Sequence, residues 1–151
     1  MIKVNVEVNS KFWCKRINNP KKYFNKKLKK ISKIVKFFQG KNVTFTILLT
    51  NSLNMKKLNK KFRNCNKSTD VLSFPFFSSN RLKSIEQKNF YIGDIATSYE
   101  IINCRSKKDN FLSKFDKVWV HGLLHLIGYD HIRHQDYYKM NKIEKRILNS
   151  I

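Results

Sequence analysis

Acidic residues are scarce: 10 Asp and Glu stand against 32 Lys and Arg, a formal net charge of +22. A folded domain with that imbalance repels itself unless something anionic compensates, and nucleic acid is the usual partner. An AT-rich genome also writes lysine, asparagine, isoleucine and phenylalanine into drifting surface positions. Lysines placed by drift attract phosphate all the same. Cysteine is nearly absent. Cys14, Cys65 and Cys104 are odd in number, far apart and without CxxC spacing, which excludes a disulfide scaffold and suits a reducing cytosol. They read as small hydrophobes or loop thiols. With 2 prolines and 4 glycines there is no Pro/Gly-rich linker, and no repeat or low-complexity tract divides the chain. No apolar run approaches the roughly 18 residues that would span a bilayer. The opening MIKVNVEV alternates and lacks the continuous apolar core of a signal peptide. The expectation is one domain, residues 1–151, in the cytoplasm and with no membrane partner.

What is present is core material. Hydrophobic residues make up 41%, including 12 Phe, 6 Tyr and 2 Trp, well clear of the disordered range. Ile2, Val4, Val6 and Val8 alternate with polar residues as in a half-buried strand. Pro20 suits the first turn of a helix, on which Phe24, Leu28, Ile31, Val35 and Phe38 form one face before a stop at Gly40. The lysines between them offer a basic surface able to track a nucleic-acid backbone. Val43 to Thr50 is rich in β-branched residues and forms a second strand. A short helix follows, with Met55, Leu58 and Phe62 on one side. Val71 to Phe76 is a third strand, ended or placed at an edge by Pro75. After a polar excursion from Ser78 to Asn89, Phe90 to Thr97 is a fourth. Ser98 is placed to cap a helix carrying Ile101 and Ile102. A longer helix holds Phe111, Phe115, Val118, Trp119, Leu123 and Leu126 and stops at Gly128, and a last one starts near Gln135. This order predicts an α+β fold: a small mixed sheet of about four strands with helices mainly on one face.

The segment that carries chemistry is His121-Gly-Leu-Leu-His125-Leu-Ile-Gly128-Tyr-Asp-His131. Residues four apart on a helix share a face, with Cβ atoms about 5–6 Å apart, so His121 and His125 are able to address one ion. Gly128 tolerates the left-handed conformation that ends a helix, which lets the chain return with His131. Three neutral imidazoles make a zinc site with a fourth position open. His134 reads as an exposed residue at the start of the last helix. The spacing matches the metzincin protease pattern HExxHxxGxxH except after the first histidine. There the protease's general base, Glu, is replaced by Gly122, which points away from peptidase chemistry.

The block HGLLHLIGYDH resembles the signature of the YbeY family, bacterial endoribonucleases that help mature ribosomal RNA. Two further blocks agree and come in the family's order: Phe62-Arg63 followed by Lys67-Ser-Thr69-Asp70-Val-Leu-Ser73-Phe-Pro75-Phe, and Gly93-Asp94-Ile95. The resemblance covers most of the chain, although the first forty residues match only as a strand followed by a helix. Where the family has acidic residues after the last histidine, this chain has Arg133 and His134. The resemblance implies a zincin-like fold, one Zn2+ on His121, His125 and His131, and hydrolysis of single-stranded RNA. It further implies work on the 3′ end of 16S ribosomal RNA and the small ribosomal subunit, with no DNA substrate. Arg63 occupies the position of the family's functional arginine, where a guanidinium holds a phosphate bidentately and stabilises developing charge. Asp70, Asp94 and Asp130 are candidates for a base or a partner of a ligand histidine, with turn or strand-start roles as the alternative. Rival readings are a zinc peptidase with its base elsewhere, and a non-catalytic ribosome-associated zinc protein.

Overall fold

The structure, a computed structural model, describes residues 1–106, 110–131 and 133–151, and Lys83 by its backbone alone. The alternating opening segment is β1, Ile2–Val8. Pro20 is the first residue of α1, Pro20–Ile34, and the Asn19 side chain accepts the Lys22 N–H at its start. This helix ends before the expected Gly40. Val35 is already extended, and a 3₁₀ turn over Lys36–Phe38 follows. The chain has to reverse to bring Val43 beside Ile2, and it does so over Val35 while Phe38 stays buried. Gly40, at φ 71°, completes the turn into β2, Asn42–Thr50. The rest are α2, Ser52–Arg63, β3, Val71–Pro75, α3, Ser79–Lys83, and β4, Asn89–Ser98. Three helices follow: α4, Tyr99–Arg105, α5, Phe111–Leu126, and α6, His134–Leu148.

The four strands form one mixed sheet in the order β1-β2-β4-β3. The first three are parallel and β3 runs antiparallel to β4 at the edge. Pro75 closes that edge strand, where its missing N–H costs no ladder bond. The anticipated α+β sheet with helices mainly on one face is present. On the main face α1, α5 and α6 bury Phe24, Leu28, Phe115, Trp119 and Ile147 against Phe45, Ile47 and Ile95. On the other, α2 covers a small cluster of Met55, Leu72 and Ala96. Phe62 lies on the expected side of α2, with Leu58 and Phe74, but at the rim: it is 56% exposed, its ring 5.1 Å from that of Phe74.

A bulge in β4 breaks the two-residue alternation of a regular strand. Tyr91 pairs with Thr44, but the next pair is Asp94 with Thr46, so one extra residue is inserted. Ile92 and Ile95, three apart, therefore both reach the main core. Tyr91 and Asp94 share the opposite face, where the Tyr91 hydroxyl lies 2.6 Å from Asp94 Oδ1. Gly93 makes this possible. At φ 130° its Cβ would sit 2.2 Å from the Phe74 carbonyl oxygen.

Ser98 stands at the start of α4, but its side chain caps no backbone N–H there. Its hydroxyl turns to Glu100 Oε2 at 3.5 Å, and that carboxylate accepts the Ser52 N–H at 2.7 Å. The α5 helix is tied to α1 by a buried carboxylate, Asp116. The Tyr23 hydroxyl donates to it at 2.7 Å, the Trp119 indole at 2.9 Å, and Lys27 adds an ion pair. Burial, and then the Asp116 charge, raise the Tyr23 pKa far above the phenol range. These bonds fix the rotation of α5 about its axis, and with it the direction in which His121 and His125 point.

Candidate functional site

One broad face of α5 is apolar and buried, including Val118, Trp119, Val120, Leu123, Leu124 and Leu126, so the helix lies deep against β3 and β4. Gly122 permits that depth. A Cβ there would stand 3.1 Å from Ile95 Cγ2, from Ser73 Oγ and from Val71 Cγ2. The Ser73 hydroxyl donates to the Gly122 carbonyl at 3.2 Å. The position that carries the general base in metzincin proteases thus faces the sheet in this chain, where no carboxylate fits.

The end of α5 builds the rest of the site. Gly128 has φ 86°. Its N–H donates to the His125 carbonyl at 3.1 Å, and the Tyr129 N–H donates to the Leu124 carbonyl at 3.0 Å. That pair of bonds is a Schellman motif, which needs a left-handed residue at this place. The chain returns over the last turn, the Asp130 carboxylate accepts the His131 N–H at 2.7 Å, and His131 joins the other two histidines.

The Nε2 atoms of His121 and His125 are 3.1 Å apart, and one ring nitrogen from each of His121, His125 and His131 lies within 4.8 Å of the others. Two imidazole nitrogens bound tetrahedrally at about 2.0–2.1 Å from zinc stand about 3.3 Å apart, so the three fit one metal ion. Among the described residues this cluster contains no fourth His, Cys, Asp or Glu. The Nδ1 of His121 is 3.1 Å from Glu144 Oε1 on α6. A carboxylate only accepts, so Nδ1 carries the proton and Nε2 keeps its lone pair for the ion. Burial, followed by the charges of His121 and His131, lowers the His125 pKa below the ordinary imidazole value. The neutral form is the one that ligates.

The histidines line a cleft of about 380 Å³. Its other walls include Arg63, Ser73, Pro75, Ser79 and Tyr129. Arg63 is the last residue of α2, and Asn64, in the left-handed region at φ 53°, turns the chain away behind it. The Asn59 side chain donates to the Lys67 carbonyl at 2.7 Å and pins the loop that follows. The Arg63 guanidinium reaches over β3, with Nη2 3.4 Å from the Ser73 carbonyl oxygen.

The remaining candidates separate. Asp130 lines the cleft but spends an oxygen on the His131 turn. Asp70 starts β3, accepting the Val71 N–H at 3.0 Å and pairing with Arg105. Asp94 is on the far face of the sheet with Tyr91. His134 begins α6, exposed, against the Tyr138 ring at 4.8 Å. All three cysteines are exposed. The basic residues of α1 border a separate shallow groove that shares no residue with the histidine cleft. Glu144 went unnoticed in the sequence, where nothing but the tertiary fold joins it to a histidine 23 positions earlier.

A family model described as Endoribonuclease YbeY matches residues 8–151. A Pelagibacter ubique protein named Endoribonuclease YbeY is 46% identical, with 100% of this chain and 97% of the relative covered. One of the same name from Buchnera aphidicola is 36% identical over 97% of this chain and 92% of its own. The solution structure of TM1509 from Thermotoga maritima shares the fold, with a TM-score of 0.64 at 24% identity, covering 99% of this chain and 88% of that one. No helix among the described residues is long and apolar enough to cross a membrane.

Proposed function

The chain belongs to the YbeY family of endoribonucleases, and we propose that it is a single-domain, zinc-dependent enzyme that hydrolyses single-stranded RNA in the cytoplasm. Its proposed task is maturation of the 3′ end of 16S ribosomal RNA and quality control of the small ribosomal subunit. One observation carries the catalytic part: three histidines disposed for one ion and the exposed guanidinium of Arg63 line the same cleft.

When bound, zinc at His121, His125 and His131 supplies a Lewis acid for a phosphoryl oxygen and acidifies water. Glu144 holds the His121 ring in the ligating tautomer. Arg63 holds the phosphate through two parallel N–H donors and stabilises the negative charge that grows on its oxygens. Ser73 and Pro75, on the edge strand β3, line the same cleft and offer a wall for the RNA. Gly122, turned to the sheet, leaves the cleft without the metzincin base, which argues against the peptidase reading. A closed structural zinc needs a fourth protein ligand, and the cluster holds three.

The test sets RNA cleavage beside peptide cleavage on the same preparation, with and without chelator, and reads the RNA ends. Cleavage of single-stranded RNA that chelation abolishes and zinc restores supports the reading. A 2′,3′-cyclic phosphate identifies the RNA's own 2′-OH as nucleophile, and a simple monoester end identifies water. Peptide cleavage without RNA cleavage overturns it.

A further inference from the structure

Beside the histidine cleft lies a second recess, of about 320 Å³, lined by Asp70, Lys114, Lys117, Val118 and Glu144. The two share Val71 and His121, so they are halves of one groove on either side of the first metal-ligating histidine. Arg63 stands in one half. The other half has no arginine, but it has two lysines on the helix that carries the metal site.

Lys114, Lys117 and His121 are spaced i, i+3, i+7 on α5, which aligns them in one stripe. At 1.5 Å per residue, Lys117 is about 6 Å and Lys114 about 10 Å from His121 along the axis. The steps are about 6 and 4.5 Å, and the long, flexible lysine stems let the two ammonium groups spread to successive phosphates of an extended strand. The charge balance of the recess decides what it is for. Asp70 is paired with Arg105, whereas Glu144 accepts a hydrogen bond from the neutral His121 ring and keeps its charge. Neither Lys114 nor Lys117 is in an ion pair among the described residues. With Asp70 paired, two lysines stand against the one carboxylate of Glu144, so the balance of this half-groove is cationic, next to the site where a phosphate reacts.

We infer that Lys114 and Lys117 bind the RNA phosphates flanking the scissile one, so that the strand crosses His121 from the Arg63 side and continues along this stripe of α5. An ammonium on a flexible stem acts on phosphate as a point charge and reads no base. This subsite accordingly sets affinity and register, not sequence preference, and it selects a single strand able to follow the groove. The inference rests on the RNA-cleaving reading above.

The experiment compares the zinc-loaded protein with the double variants Lys114→Ala/Lys117→Ala and Lys3→Ala/Lys56→Ala. The second pair removes the same charge from exposed positions that border neither half of the groove. Binding of a fluorescent 2′-O-methyl single strand is followed over a salt series, and single-turnover cleavage of the ribose strand is followed over enzyme concentration. For the α5 pair the half-saturating concentration should rise about tenfold, and the salt slope should shrink by about 1.4, at roughly 0.7 per released phosphate contact. The maximal cleavage rate, zinc content and melting temperature should stay near parental values. The control pair should keep the parental slope. Equal changes in the two pairs overturn the inference, because the lysines then act only through net charge. If the parent cleaves no RNA, the functional reading fails, and the binding slopes still decide whether the α5 lysines hold phosphate.

Discussion

His121 and Glu144 meet across α5 and α6, with Nδ1 and Oε1 3.1 Å apart. The contact fixes the tautomer and ring orientation of His121, and a histidine held this way would be a better donor to a bound ion. Losing such a partner typically costs about 10–100-fold in metal affinity. Glu144→Ala should lose zinc to a competing chelator at a correspondingly lower concentration, and Glu144→Gln, which keeps an acceptor oxygen, should recover part of the loss. Parental zinc affinity in both variants would reduce Glu144 to a bystander.

The ligand set makes a sharper distinction. His121→Ala, His125→Ala and His131→Ala should each lose most of the bound zinc, since three donors converge within 4.8 Å and two hold it weakly. His134→Ala should keep one equivalent, because that residue is exposed at the start of α6. Elemental analysis of the four purified variants reads the outcome, and zinc loss in the fourth would redraw the site.

Gly122 is a packing residue as much as a missing base. Its three neighbours at 3.1 Å are two methyl carbons and the Ser73 hydroxyl, so an added methyl requires these side chains to give by a few tenths of an ångström or α5 to shift. Overpacking of this kind costs about 1–3 kcal/mol. Gly122→Ala should lower stability by that much in chemical denaturation. Gly122→Glu should be far worse and gain no peptidase activity. A glutamate variant as stable as the parent would show that the helix and the sheet can part there.

Arg63 tests the division between charge and geometry. Arg63→Lys keeps the positive charge but not the planar fork. It should bind zinc and melt like the parent, since the side chain is exposed and its contact with Ser73 is a long 3.4 Å. Single-turnover cleavage at saturating enzyme should fall about 10²–10³-fold, the usual loss for one well-placed donor. A parental rate there would remove Arg63 from the chemistry.

How much of this was legible in the sequence depends on the reach of each interaction. The strands announce themselves by alternation and the helices by their apolar faces, because both signals repeat within a few residues. The convergence of the three histidines is legible for the same reason: one helical turn, a glycine and a short return bring His131 back to His121 and His125. The end of α1 misled, since Val35 and Phe38 continue its apolar face although the chain has already left the helix. The β4 bulge breaks a two-residue period that simple alternation takes for granted. Glu144 and the Lys114–Lys117 stripe gain meaning only when α6 and β3 pack beside α5, which no local pattern records.

Zinc-free protein titrated with zinc, with single-turnover cleavage of single-stranded RNA measured at each point, tests the central claim most directly. Cleavage should be absent without metal, rise in proportion to zinc up to one equivalent per chain, and then level off. Undiminished cleavage by the zinc-free protein, or a plateau only at several equivalents, would contradict a reaction centred on His121, His125 and His131.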